Sequence, residues 1–453
     1  MYMFYFRRFL FFSAILLFFF VFRGFLFLGH SDPLGYDTGL YAKYIDMAYT
    51  ALPQLPFQIS LPDWPWGLYM VTDFLRWIGF SQRQVLYGFY LILHAGIALL
   101  FYFYAQRRFG KGVGIATFFL FMLSISQLVF FWLFYYKNTL ALFLMLCAML
   151  LMLKKSPLIP FFAVAIGATH PLTAFVFFLF LFFEWIVQRD AYHRRILAFS
   201  ILACGLLFVW SPVPLIRFSA LTLSFSSNLK FPGTFIDIKQ YLFLAIYYLP
   251  FALWGAWISK NNKEIKPFLY LLGTLFLMSF VSPIIPNRVI PFLDLLVILF
   301  SGIGLQNLFQ RGVIREYKIL FFAWIVFLLV FFAKGISFLP PRVPQDEVNQ
   351  IKAMRYFPHD ALIIATHSYY APWIYGFSGH KTVAPEMFEN DMWNREQWEK
   401  FWHTPDQSKR HVLMREFPDV PLYVFVGSLF PYPNLSEDYF FKKVSDNVYR
   451  YGP

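Results

Sequence analysis

Apolar residues along this chain gather into long uninterrupted runs that recur from near the N-terminus to about residue 336. A hydrocarbon core of ~30 Å needs about 20 residues of helix. On that measure the pattern predicts about eleven membrane spans: 9–29, 85–105, 113–134, 138–153, 158–168, 171–187, 196–212, 241–259, 267–285, 289–309 and 318–336. The first run starts with Arg7 and Arg8, as a signal peptide would. It is a full span in length, however, and Arg23 to His30 offers no small-residue cleavage site, so it reads as a retained anchor.

Short loops rich in Lys and Arg stay cytoplasmic. Every second connection here is basic: Arg107, Arg108 and Lys111; Lys154 and Lys155; Arg189, Arg194 and Arg195; Lys260, Lys263 and Lys266; Arg311, Arg315 and Lys318. The alternation puts the N-terminus inside and the C-terminus outside, and leaves three sizeable outer regions, 30–84, 213–240 and 337–453. The first ends in Trp66-Gly67-Leu68-Tyr69-Met70-Val71-Thr72-Asp73-Phe74-Leu75-Arg76-Trp77, which is apolar at helical spacing and suited to the headgroup zone, so an interfacial helix is expected there. The segment from Pro340 onward reads as a small α/β domain, with helices over 345–357 and 394–402 and buried strands over 361–365 and 422–426. Two domains follow: a transmembrane part, 1–336, and an extracytoplasmic α/β part, 337–453.

Composition sharpens this picture. Of the residues, 59% are apolar, 23% aromatic and only 14% charged, the balance of a polytopic integral membrane protein. The net charge of +13 is explained by the basic inner loops, and nucleic acid is not an expected partner. Cys147 and Cys204 lie within separate spans and read as small packing residues, and 337–453 has no cysteine for a disulfide framework. The histidines of that segment, His367, His380, His403 and His411, are scattered, with no metal-ligand spacing.

Against this scarcity of acids, Gly35-Tyr36-Asp37-Thr38-Gly39-Leu40-Tyr41-Ala42 stands out directly after the first span. Together with Pro65-Trp66-Gly67-Leu68-Tyr69, with Ile78-Gly79-Phe80-Ser81-Gln82-Arg83 and with the later Pro286-Asn287-Arg288-Val289-Ile290-Pro291, it resembles the GT-C superfamily of integral-membrane glycosyltransferases that use polyprenyl-phosphate-linked sugars. The likeness is to the branch of the lipid A aminoarabinose transferases and protein O-mannosyltransferases, and it covers the membrane half. It implies a GT-C-like fold and makes Asp37 the catalytic base, with Tyr41 and Ala42 fixing the register. Thr38 departs from the pattern where an acid commonly follows, and Leu40 replaces a basic residue, which leaves the donor sugar open.

The chemistry is consistent with one carboxylate. An acceptor hydroxyl attacking an anomeric carbon must lose its proton, whereas a phosphate leaving group needs no acid, unlike the leaving group of a glycoside hydrolase. The competing reading of Asp37 is a solvated loop acid or the N-cap of the following helix. Asp32 could serve in its place, or hold the loop in an Asx-type turn before Pro33. No Asp-x-Asp or comparable cluster accompanies them, so no cofactor is indicated, although some relatives use a divalent metal.

A departing polyprenyl phosphate calls for preorganised cations at the outer surface. Arg288 is the first candidate, against a role in snorkelling to headgroups; Lys137 is the second, and Lys230 and Arg217 in the 213–240 loop rank below them. His170, in Thr169-His170-Pro171, breaks two apolar stretches and faces an outer cavity on this reading, available to sugar or phosphate or else simply capping a helix. His94 reads as a helix-to-helix hydrogen bonder and Glu184 as a packing or interfacial residue.

The expected protein is an inverting glycosyltransferase, multi-pass in the plasma (inner) membrane. Its partners would be a polyprenyl-phosphate sugar donor, a lipid, glycan or protein acceptor, and the bilayer itself. The alternatives are an enzyme like an O-antigen polymerase or ligase, whose large outer loop usually lies between late spans, and a polytopic transporter or flippase of lipid-linked sugars. No matching pair of interrupted halves favours the latter.

Overall fold

The computed structural model describes residues 13–14, 16–27, 32, 35–51, 66–210, 236, 238–281, 285–339, 342–385 and 392–452. The chain divides into two compact units, one of 1–25, 52–228 and 234–339, the other of 26–51, 229–233 and 340–453. The segment that carries Asp37 therefore clusters with the C-terminal residues, whereas the sequence groups it with the membrane half.

In the first unit a helix or a bent helix pair stands at each of the apolar runs. Among the described residues five helices are long and apolar enough to cross a membrane: Gln84–Phe109, Pro171–Gln188, Ala191–Val209, Arg288–Gln310 and Lys318–Gly335. The total reaches seven if each of two bent pairs is one span, and the other apolar helices, Leu16–Leu26, Tyr136–Met152, Ile159–Thr169 and Lys266–Phe280, are shorter. The bends are not visible in the apolar runs: Lys111–Leu123 and Ile125–Leu133 meet at 56°, and Ile238–Ala245 and Leu249–Ser259 at 88°.

The first bend has a local cause. Ser124 leaves the helix in an extended conformation and its hydroxyl caps Gln127 N–H. Of the carbonyls this break exposes, Leu123 accepts the Tyr247 hydroxyl at 2.6 Å and Phe121 accepts the Arg23 guanidinium at 3.2 Å, so the backbone stays satisfied where no water is at hand. Both bends converge on one buried acid. Asp294 Oδ2 accepts Ser124 Oγ at 2.8 Å and Gln127 Nε2 at 2.9 Å, and Oδ1 accepts the Tyr248 hydroxyl. Gln127 also donates to the Pro291 carbonyl at 3.2 Å, one turn before Asp294 on the helix Ile285–Gln310. Elsewhere in the unit Arg108 pairs with the buried Glu184 at 2.6 Å, and His94 Nε2 meets Thr139 Oγ1 at 3.4 Å.

The second unit is built on a five-stranded sheet of order β2-β1-β3-β5-β4. Its strands are β1 (Leu362–Ala365), β2 (Lys381–Val383), β3 (Leu422–Phe425), β4 (Phe441–Lys443) and β5 (Val448–Tyr451). Strand β1 runs parallel to β2 and β3, while β5 runs antiparallel to β3 and β4. Alternation sends Ile363, Ala365, Tyr423 and Phe425 to one face, where the helices Gln345–Ala353 and Ala371–Ser378 pack, and Leu362, Ile364, Leu422 and Val424 to the other, against Arg395–His403 and Gln407–Met414. Burial on both faces makes β1 and β3 continuous apolar runs. Of these elements β2, β4, β5 and two of the helices were not expected; the three strands are part-exposed and lack the continuous apolar run of β1 and β3.

Helix Thr38–Ala51 packs against Ala371–Ser378. The two backbones touch at Gly39 and Gly376, where a Cβ on either would strike main-chain atoms of the other helix.

Two stability tests follow. Asp294→Ala strands several buried donors and should lower the unfolding free energy by about 3 kcal/mol, seen as a lower thermal midpoint in detergent; an unchanged midpoint would remove Asp294 from its central role. In the C-terminal unit His367 stacks on Phe430 at 3.5 Å, and burial holds its imidazole down to about 4 from 6.5. The unfolded chain takes up a proton between those values that the folded domain refuses, so stability falls as pH drops from 6.5 towards 4. His367→Phe should flatten that slope in unfolding curves recorded at pH 7 and pH 5.

Candidate active site

In the membrane unit, three of the residues singled out above stand where helices begin or end. Phe134 closes the helix Ile125–Leu133 in a left-handed conformation (φ 65°), a tight reversal that starts Tyr136–Met152 two residues later. Lys137 therefore occupies the first turn of that helix, buried to 6% exposure, with Nζ 5.8 Å from the centroid of the Tyr69 ring. Its place in the first turn puts it beside backbone N–H groups that the helix itself leaves unused.

His170 ends one helix and caps the next. Its Nδ1 accepts the Thr173 backbone N–H at 3.2 Å and lies 2.9 Å from Thr173 Oγ1. A nitrogen that accepts an N–H carries no proton, so the imidazole proton lies on Nε2, which is a donor. Lys137 and Arg288 both lie near enough to act electrostatically on this imidazole. Arg288 is exposed and sits near the start of Ile285–Gln310, one turn before Pro291. Lys137, His170 and Arg288, with the N-termini of two helices, thus gather positive potential and N–H donors, the composition of an anion-binding site.

A helix forms over Gly67–Trp77, as expected, and it packs on the residue before His170. A Cβ at Gly67 would come within 2.9 Å of the Thr169 backbone N and 2.5 Å of Thr169 Oγ1. The Trp66-Gly67-Leu68-Tyr69 motif therefore has a packing reason: its glycine lets the helix lie on the residue before His170, and its Tyr69 reaches Lys137. Asp73, on the same buried face, was not anticipated. Its Oδ1 has no hydrogen-bond partner among the described residues, and burial pushes its pKa up to about 6.

The Asp37 turn lies in the other unit. Asp37 is half-buried and directly precedes Thr38–Ala51, and its carbonyl accepts Tyr41 N–H at 3.0 Å. Tyr41 is buried at 5% exposure, and Tyr36 packs on Tyr369 with ring centroids 5.8 Å apart. Asp32 is ion-paired to Lys352 of the helix Gln345–Ala353 at 2.8 Å. That partner lies more than three hundred residues away in sequence, beyond the reach of local pattern. Lys43, also unanticipated, lies 3.5 Å from the centroid of the Tyr375 ring, and burial lowers its pKa. Lys230 and Arg217 lie outside the described residues. Among the described residues no three His, Cys, Asp or Glu side chains are grouped to hold a metal.

No protein-family model and no curated protein matches the chain. Solved structures do. The crystal structure of the Archaeoglobus fulgidus oligosaccharyltransferase in complex with Zn and sulfate aligns with a TM-score of 0.61 at 12% identity, over 91% of this chain and 67% of that one. The apo form of the same protein gives 0.60 at 12% identity, over 91% and 68%. At this identity the likeness is one of fold alone.

Gly67→Ala tests the packing of the interfacial helix. Forcing a methyl against the Thr169 backbone should destabilise the unit by about 1–3 kcal/mol, read as a drop in thermal midpoint, whereas Gly88→Ala, with nothing within 4 Å of its Cβ, should not.

Proposed function

We propose that this protein is a GT-C glycosyltransferase that moves a sugar from a polyprenyl-phosphate donor to an acceptor hydroxyl at the outer face of the plasma membrane, with inversion. The observation that carries the reading is that Lys137 and Arg288 both act electrostatically on His170, whose Nδ1 is engaged by the Thr173 N–H so that Nε2 is left to donate. The fold shared with an oligosaccharyltransferase supports it.

On this reading Arg288 and Lys137 hold the donor phosphate, the guanidinium through two parallel N–H bonds and the ammonium as a point charge. His170 donates from Nε2 to a phosphate or sugar oxygen. The acceptor oxygen attacks the anomeric carbon, its proton passes to the Asp37 carboxylate, and the bond from the anomeric carbon to the phosphate oxygen breaks with its electron pair on the phosphate. The cations stabilise the charge that grows there. The acceptor is a lipid, a glycan or a protein.

The test is release of free polyprenyl phosphate from a panel of polyprenyl-phosphate sugars by the purified protein, with membrane extract supplying acceptors. Asp37→Asn should cut turnover by about 100-fold or more, and Arg288→Ala should raise the donor KM by about 10-fold. Normal turnover by Asp37→Asn would overturn its role as base, and no release from any donor by the wild type would overturn the reaction class.

A further inference from the structure

At the other end of the helix Ile159–Thr169 from His170 lies a groove that the proposed reaction does not use. Its volume is about 500 Å³, and it runs between the start of that helix and Ala191–Trp210. Lys155 and Arg195 stand among its lining residues, and its length is apolar, along Ile196, Phe199, Leu202 and Leu206. These four positions cover one stripe of helix, ~15 Å long at 1.5 Å per residue.

We infer that this groove binds one anionic glycerophospholipid of the bilayer, its phosphate on Lys155 and Arg195 and an acyl chain along the Ile196–Leu206 stripe. Three observations select that occupant. The span Ala191–Val209 is only 22% buried within the protein, so its outer surface is the one that meets lipid, and Phe199, Leu202 and Leu206 are each more than half exposed on it. The cations are confined to the polar end of the stripe, where Lys154 and Arg194 add to them, which matches a ligand with a charged head and an apolar tail. The acid of this region, Asp190, is engaged locally: its Oδ1 accepts the His193 backbone N–H at 2.8 Å and faces His193 Nδ1 at 2.7 Å. The Tyr192 hydroxyl meets the Ser156 carbonyl at 3.5 Å and ties the Lys155 connection to this helix. The charge pattern assigns these connections to the cytoplasmic side, so the lipid would come from the inner leaflet.

The experiment is native mass spectrometry of the full-length protein in detergent with equimolar dioleoyl phosphatidylglycerol and dioleoyl phosphatidylcholine. The wild type should retain the anionic lipid about 10-fold over the zwitterionic one, Lys155→Gln with Arg195→Gln should lose that preference, and Lys260→Gln, at a different basic connection, should keep it. Equal retention of both lipids by the wild type, or an unchanged preference in the double variant, would overturn the inference. Glycerol 3-phosphate, which has the head but no chain, should not displace the lipid; displacement would make the groove a soluble-phosphate site and overturn the lipid assignment. Neither result depends on glycosyl transfer.

Discussion

A single buried carboxylate, Asp294, ties together the parts on which the membrane unit depends. It receives Ser124 and Gln127 from one bent span and Tyr248 from the other, so two helices that would otherwise expose broken backbone are fixed at their bends. It lies on the same helix as Arg288, less than two turns away. Whatever sets the height and rotation of that helix also sets the guanidinium. In hydrocarbon an acid is tolerated only when its oxygens are answered by donors, and here the donors come from the points where the helices give way. Bends and acid therefore make one device: the bends present hydroxyl and amide groups, and the acid makes the bends affordable.

The same logic recurs at the candidate site. Lys137, His170 and Arg288 each stand near a helix terminus, where backbone N–H groups are unused and the dipole is positive. An anion arriving at such ends meets cationic side chains and unused N–H groups together. A lipid-linked phosphate at the membrane surface is an anion of this kind, and low dielectric strengthens its attraction to a preorganised site. The Asp37 turn, in the second unit, is built differently. It rests on aromatic packing of Tyr36 on Tyr369 and on the close crossing at Gly39 and Gly376, and Asp32 with Lys352 ties its approach to the helix Gln345–Ala353.

Much of this was legible in sequence wherever a signal is local. Apolar runs marked the helices, the Trp66–Trp77 pattern marked the interfacial helix, and the apolar runs at 361–365 and 422–426 marked the central strands. His170 stood out because Pro171 breaks a helix, and Arg288 and Lys137 because each is a cation at a connection that the charge alternation puts outside. What sequence could not supply is partnership across long separations. Asp294 looked like one polar residue in an apolar run, and its three donors come from two other segments. Ser124 is too common a residue to predict a 56° bend. The association of residues 26–51 with the C-terminal residues rests on contacts more than three hundred residues apart in sequence, Gly39 with Gly376 among them.

The most direct test of the account is equilibrium binding of a polyprenyl phosphate carrying no sugar to the purified protein, comparing wild type with the Lys137→Ala, Arg288→Ala double variant. Binding by the wild type and a loss of about 10-fold or more in the double variant is the predicted result. Equal binding by the two proteins would contradict the assignment of the Lys137, His170 and Arg288 group as the seat of the donor phosphate.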